Sequence, residues 1–254
     1  MITERIEDGI VIMEFSGGKN NTITGETLAS IKSIVERVNN DDDLKGIVVT
    51  GQGKVFCAGF DLPMFMGFKD LDEIINFFNE AEEVLTEFFM CKKPVVSAIN
   101  GAAVAGGLIF SMATDYRIIK NHPKIKVGMS EIKIGLGLSI AQAEIMRFGF
   151  DNSNARFRDI MYNGELHDVN QALEKGLVDE IAEEDELLER AKTVVKSWID
   201  NPGRAFMMLK QGYRKPHADL IRKRLKEENW QEGFNIFFDK GTRGAIEMVM
   251  KMMG

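Results

Sequence analysis

Along the first hundred residues, short apolar runs rich in β-branched side chains alternate with amphipathic helical stretches, and this alternation restricts the chain to crossover topologies. Residues 9–15 (GIVIMEF) read as a strand. Residues 24–39 then place Leu28, Ile31, Ile34, Val35 and Val38 on one stripe at helical spacing. Residues 46–50 (GIVVT) form the brief apolar run expected of a strand buried on both faces. Residues 71–89 are helical again, with Ile74, Ile75, Phe78, Leu85, Phe88 and Phe89 apolar, and residues 94–99 (PVVSAI) return to strand. Each helix should cover a face of a largely parallel sheet.

Beyond about residue 139 the pattern is helical almost throughout. No linker or low-complexity segment separates the halves. We read residues 1–200 as an α/β core and residues 201–254 as a helical region of the same domain. Asn201-Pro202 is expected to open a helix as N-cap and first residue. The Met-rich end (Met248, Val249, Met252, Met253) reads as flexible core filler, or as an apolar face for a neighbouring subunit.

The 254 residues carry 32 Lys plus Arg against 39 Asp plus Glu, a net charge of −7, which removes the footprint of a general nucleic-acid binder. Cys57 and Cys91 are the two cysteines, too few for a disulfide scaffold. Glu4, Arg5, Glu7 and Asp8 interrupt any signal-peptide segment. The nearly uncharged residues 94–114 contain Ser97, Asn100 and glycines that weaken a membrane-span reading. A cytoplasmic protein with no membrane association is the expectation.

Several motifs fail. Gly101 and Gly106 have P-loop spacing, but Gly107 and Leu108 stand where Lys and Ser or Thr are needed. Gly135 and Gly137 begin a dinucleotide-binding pattern that lacks its third glycine. His122, His167 and His217 sit at no metal-ligand spacing, and no GxSxG elbow occurs.

Two glycine turns hold more information: residues 55–62 (VFCAGFDL) and residues 98–107 (AINGAAVAGG), each following a strand. A strand, a glycine turn and a helix start leave backbone N–H groups without intrahelical partners. The helix dipole favours negative charge there, and glycine lets a substrate approach the backbone. Two such turns together could form an oxyanion hole; each alone could equally be a tight turn.

FCAGFDL (56–62), INGAAVAGG (99–107), MATDYRI (112–118) and GMSEIKIGLG (128–137), in this order and spacing, resemble the crotonase, or enoyl-CoA hydratase/isomerase, superfamily. The likeness extends over nearly the whole chain. It implies an α/β fold, a spiral of ββα repeats with a helical C-terminal trimerisation region, in a homotrimer or hexamer. It also implies an acyl-CoA thioester substrate, with no metal and no cofactor beyond the coenzyme A of the substrate itself. Carried over by position, the oxyanion donors are the N–H groups of Phe60 and Gly106. The adenine pocket falls on the backbone of Ala58, Phe60, Asp61 and Leu62, and Lys19 falls in the segment that meets the CoA phosphates. Cys57 is there as a small residue, not a nucleophile.

Hydratases of this superfamily use two glutamates. The first position here is Ile109, in Ala105-Gly-Gly-Leu-Ile109; the second is Glu131, in Met129-Ser-Glu131. Ile109 cannot orient water, whereas one carboxylate suffices to move a proton from C2 to C4 of a 3-enoyl thioester. With Glu131 as that carboxylate and Ile109 as an apolar neighbour excluding water, the sequence is most similar to the mitochondrial-type Δ3,Δ2-enoyl-CoA isomerases of fatty-acid β-oxidation. A hydratase or thioester hydrolase, with a second polar group on helix 71–89, is the alternative; a non-catalytic acyl-CoA-binding protein is a third. Glu80, Glu82 and Glu83 on that helix are read as its solvated face.

Overall fold

The computed structural model describes residues 1–253. It opens with a hairpin that the sequence pattern does not reveal. Strand β1 (Ile2–Glu7) pairs antiparallel with β2 (Ile10–Phe15) across a two-residue turn, Asp8-Gly9. Both turn residues have positive φ, 53° and 78°, as the favoured hairpin turn requires. The charges that argue against a signal peptide are those of an edge strand: Arg5 pairs with Glu14 at 2.5 Å and Arg37 with Glu4 at 2.6 Å. A charged edge discourages further strand addition.

After the hairpin, each turn of chain gives one strand to each of two sheets and then a helix. The first turn runs β3 (Gly46–Gly51), β4 (Val55–Cys57), then α2 (Leu62–Gly67) and α3 (Leu71–Phe89), following α1 (Gly25–Asn40). The second runs β5 (Val95–Ile99), β6 (Ala102–Val104) and α4 (Gly106–Met112). The third runs β7 (Tyr116–Lys120), β8 (Val127–Gly128) and α5 (Ile140–Gly149). Helix α6 (Asn154–Asn163), β9 (Leu166–His167), α7 (Val169–Glu174), β10 (Glu180–Ala182) and α8 (Leu187–Ile199) complete the core. One sheet has the order β1-β2-β3-β5-β7-β10 and is parallel from β2 onward; the other has the order β4-β6-β8-β9. This is the ββα spiral that the sequence likeness implies.

Both faces of the larger sheet are covered. On β2, Val11, Met13 and Phe15 enter the main core, while Ile10 and Ile12 point to the opposite face. There they meet Leu187, Ala191, Val194 and Val195 of α8. Full burial of each such aliphatic side chain contributes about 1.5–3 kcal/mol.

The C-terminal helices are α9 (Ala205–Glu227) and α10 (Lys240–Met253). Asn201 and Pro202 stand at the N-cap and first turn as expected, but of a single 3-10 turn, Pro202–Arg204, and the Asn201 side chain does not cap it: its amide donates to the carbonyls of Ser197 and Trp198. Positive φ at Gly203 (66°) and Arg204 (49°) breaks the helical run, so α9 starts at Ala205. A buried charge cluster moors α9: Asp115 pairs with Lys210 at 2.6 Å and Arg214 at 2.8 Å. Arg214 also donates to the carbonyls of Phe89, Ala113 and Thr114. Met248 and Met252 are not core filler; they are 64% and 73% exposed. No helix among the described residues is long and apolar enough to cross a membrane.

Candidate active site

The first glycine turn leaves β4 and enters α2, whose start is fixed by Asp61. The Asp61 carboxylate accepts from the Met64 N–H and from the Thr22 hydroxyl, both at 2.8 Å. Its own N–H donates to the Ile23 carbonyl at 3.0 Å, and the Gly59 carbonyl accepts from the Ile23 N–H at 2.9 Å. Residues 59 and 61 thus bond along one edge of the backbone. The intervening Phe60 N–H is left facing the other way, as alternation along an extended chain dictates.

The second turn lies on that other side. Ala105, just before α4, holds φ 55° and ψ −129°, a strained conformation for a residue with a Cβ. The strain is held in place by its N–H, which donates to the Gly128 carbonyl at 3.0 Å, and by its carbonyl, which accepts from the Ile109 N–H. The next residue, Gly106, opens α4, where an N–H has no intrahelical acceptor. A Cβ built on Gly106 would lie 3.4 Å from the Phe60 nitrogen. The two turns therefore bring the Phe60 and Gly106 amides side by side. Gly107 is required for packing: a Cβ there would fall 2.1 Å from the Cys57 carbonyl oxygen. Cys57 itself is buried, and burial pushes its thiol up to about 12, which leaves no thiolate at neutral pH.

Glu131 follows β8 at the start of a 3-10 turn, Glu131–Ile134. One carboxylate oxygen, Oε2, is fully buried and accepts no hydrogen bond. Burial pushes this carboxyl up to about 7; the Ser130 and Glu131 backbone amides pull less strongly the other way. Across from it, Ile109 on α4 is 2% exposed.

These elements surround a cavity of about 800 Å³. Of the residues singled out from the sequence, Ala58, Phe60, Leu62, Gly106, Ile109 and Glu131 line it. Asp61 does not; its side chain is the cap of α2. Lys19 lies outside it, exposed on the turn Gly18–Asn20. That turn touches the first motif through the Ala58 N–H, which donates to the Asn20 carbonyl at 3.1 Å.

Ser139 and Ile140 at the start of α5 and Met248 and Met252 from α10 also line the cavity, the methionines as wall and not as core filler. Sequence reasoning missed Gln142 of α5, Arg224 of α9 and Glu228 just past its end. Arg224 grips Glu228 at 2.6 and 3.0 Å and also bonds Glu144. The reading of Glu82 as solvated is wrong. Glu80 and Glu83 are exposed, but Glu82 is 1% exposed and faces α5. The spacing held the signal: residue 82 falls four after Phe78 and three before Leu85, on the apolar stripe of α3.

Comparison with known proteins gives the family. The family model for enoyl-CoA hydratase/isomerase matches residues 5–243. The chain is 25% identical to mitochondrial enoyl-CoA delta isomerase 1 of Rattus norvegicus, over 94% of this chain and 86% of that one. It is 30% identical to the fatty acid oxidation complex subunit alpha of Shewanella halifaxensis, over 94% of this chain but 32% of that longer protein. The crystal structure of human mitochondrial Δ3-Δ2-enoyl-CoA isomerase shares the fold, with a TM-score of 0.89 at 22% identity, over 99% of this chain and 97% of that one. With adjacent amides at two glycine turns, a spiral of ββα units and a family match along nearly its full length, this chain belongs to the enoyl-CoA hydratase/isomerase family of the crotonase superfamily.

Proposed function

We propose that the protein is a Δ3,Δ2-enoyl-CoA isomerase, converting a 3-enoyl-CoA to the trans-2-enoyl-CoA in fatty-acid β-oxidation. The observation that carries this reading is the carboxylate inventory of the cavity. Its wall holds two carboxylates, Glu131 and Glu228, and Glu228 is committed to Arg224. The position where a hydratase would carry its other glutamate, the first of the pair, is the buried Ile109.

In this mechanism the thioester oxygen sits between the Phe60 and Gly106 N–H groups. Glu131 removes a proton from C2. The electrons of that C–H bond move toward the carbonyl, and the two amides stabilise the enolate oxygen, worth about 3–4 kcal/mol per donor. Glu131 then returns the proton to C4, and the double bond moves from 3,4 to 2,3. Its carboxylate is regenerated, no electrons leave the substrate, and no metal or redox group takes part. A carboxyl near 7 suits both halves of the shuttle, since the best proton carrier titrates near the working pH. Lys19 is assigned to the CoA phosphates, and the backbone of Ala58, Asp61 and Leu62 to the adenine.

Hydration or thioester hydrolysis would need a second polar group from α3. Glu82 is the buried carboxylate there, but it is bonded to α5 and lies off the cavity wall. The test is incubation of 3-hexenoyl-CoA in deuterated water. Growth of conjugated-thioester absorbance with deuterium at C4 or C2 is expected. Formation of 3-hydroxyacyl-CoA or free thiol without a double-bond shift would overturn the proposal.

A further inference from the structure

Glu82 is a buried charge that the proton shuttle does not use. At the start of helix α5 the Gln142 side-chain oxygen accepts from the Ser139 N–H at 3.3 Å. That bond leaves other first-turn donors unsatisfied. Glu82 reaches across from α3 to take them. Its Oε2 accepts from the Ala141 N–H at 2.6 Å, and its Oε1 accepts from the Ser139 hydroxyl at 2.5 Å. The positive end of α5, not a cation, offsets its charge.

An apolar side chain at position 82 could bury itself between α3 and α5 without the cost of desolvating a carboxylate. What the carboxylate adds is direction, because two short bonds fix where α5 starts. Ser139, Ile140 and Gln142 present their other sides to the acyl cavity, so that stretch of wall is held from behind. A second cavity of about 190 Å³ lies between α3 and residues 222–230, with Glu82 on its lining, and it shares Trp230 with the main cavity. At about 30 Å³ for each water-sized group, that is room for several methylenes.

We propose that Glu82 is a positioning residue that sets the upper limit of acyl-chain length, by tethering the start of α5 so that the wall cannot retreat into the space beside it. This rests on the reading that the main cavity takes the acyl chain of a CoA thioester. Releasing the tether admits chains beyond the native limit and leaves short chains unaffected, since they end before the wall.

The experiment is calorimetric titration of saturated acyl-CoA thioesters from C4 to C16 into the wild type, Glu82→Gln, Glu82→Ala and Ser139→Ala, beside turnover of the matching 3-enoyl series. Glu82→Gln keeps the volume and both bonds, its oxygen accepting from the Ala141 N–H and its amide donating to the Ser139 hydroxyl oxygen, so it should keep the wild-type profile. Ser139→Ala breaks the tether from the other end. The expected result is a chain-length cut-off in the wild type. In Glu82→Ala and Ser139→Ala, affinity beyond that cut-off should rise at least tenfold relative to C4, and in Glu82→Ala, which lies off the wall, C4 itself should stay within threefold. A profile parallel to the wild type in both Glu82→Ala and Ser139→Ala, an equal loss at every length in them, or a wild type with no cut-off overturns the proposal. Unfolding of all three variants by circular dichroism does so too, because Glu82 would then hold the fold and not the wall. Saturated thioesters bind without reacting, which separates the two ideas. Turnover with an unshifted profile sinks only this proposal, and a shifted profile without turnover sinks only the isomerase reading.

Discussion

A methyl group on Gly59 would fall 2.9 Å from the Gly106 nitrogen, closer than carbon and a backbone amide approach in proteins. Gly59 also holds φ at 93°, which a side chain strongly disfavours. The contact is the seam where the two glycine turns meet, and it sets the spacing of the Phe60 and Gly106 amides. Gly59→Ala should therefore push the donors apart. Misplacing one oxyanion donor costs about 10²–10³-fold in kcat, and a fall of about that size is expected for 3-hexenoyl-CoA turnover. An unchanged kcat with a well-folded protein would show that the seam does not place the catalytic amides.

Glu131→Gln keeps the shape of the proposed base and removes its basicity. General acid–base groups contribute about 10²–10⁴-fold, so kcat should drop by at least a hundredfold while acyl-CoA binding stays within a few-fold of wild type. Turnover at the wild-type rate would exclude Glu131 as the proton carrier.

The pH dependence follows from the same group. Glu131 must be ionised to accept the C2 proton, so kcat/KM should rise as pH climbs through about 7 and level above it. Burial pushes Glu82 to about 7 as well, so a rising limb alone does not identify its owner. The limb should survive in Glu82→Gln, measured on a short-chain substrate. Its disappearance there would assign it to Glu82. Stability should move in the opposite sense. Both carboxyls titrate higher folded than their usual 4.5, so the native state binds the extra protons and stability falls as pH rises from about 4.5 to 7.

What could be read from sequence divides along the range of the interactions. Strands β2, β3 and β5 and helices α1 and α3 carry their period in five or more consecutive residues, and they stand where the pattern puts them. Strands β4, β6 and β8 are two or three residues long, too short to show any period, yet they place both glycine turns. Glu131 and the paired turns were legible because four motifs fall in order along the chain. The Arg224–Glu144 contact spans 80 residues, and Glu82 to Ala141 spans 59. No local signal names such partners, although helical spacing alone would have put Glu82 inward.

The mooring of α9 invites a stability test. The side chains of Asp115, Lys210 and Arg214 are 8%, 2% and 4% exposed, and Asp115 also accepts from the Val95 N–H at 2.8 Å. Asp115→Ala would leave two cations without their counter-charge in the interior. Breaking a buried pair from one side costs about 3–5 kcal/mol. Urea denaturation should register a loss of that order. A loss below about 1 kcal/mol would mean that the surrounding carbonyls alone satisfy Lys210 and Arg214.

Helix α9 also presents an uncovered apolar side. Lys210, Arg214, Ala218 and Ile221 turn inward at helical spacing, while Met208, Leu209 and Tyr213 are 75%, 69% and 62% exposed. Three large apolar side chains exposed within six residues make an apolar patch of the kind that association surfaces carry. The expectation is a homotrimer, or a hexamer built from two, and light scattering after size exclusion measures it directly. Leu209→Glu combined with Met208→Glu would bury charge in that surface. It should shift the population to smaller species without unfolding the protomer, because neither side chain contributes to the core. A wild type that runs as a monomer at micromolar concentration would overturn the expectation and leave this face to some other partner.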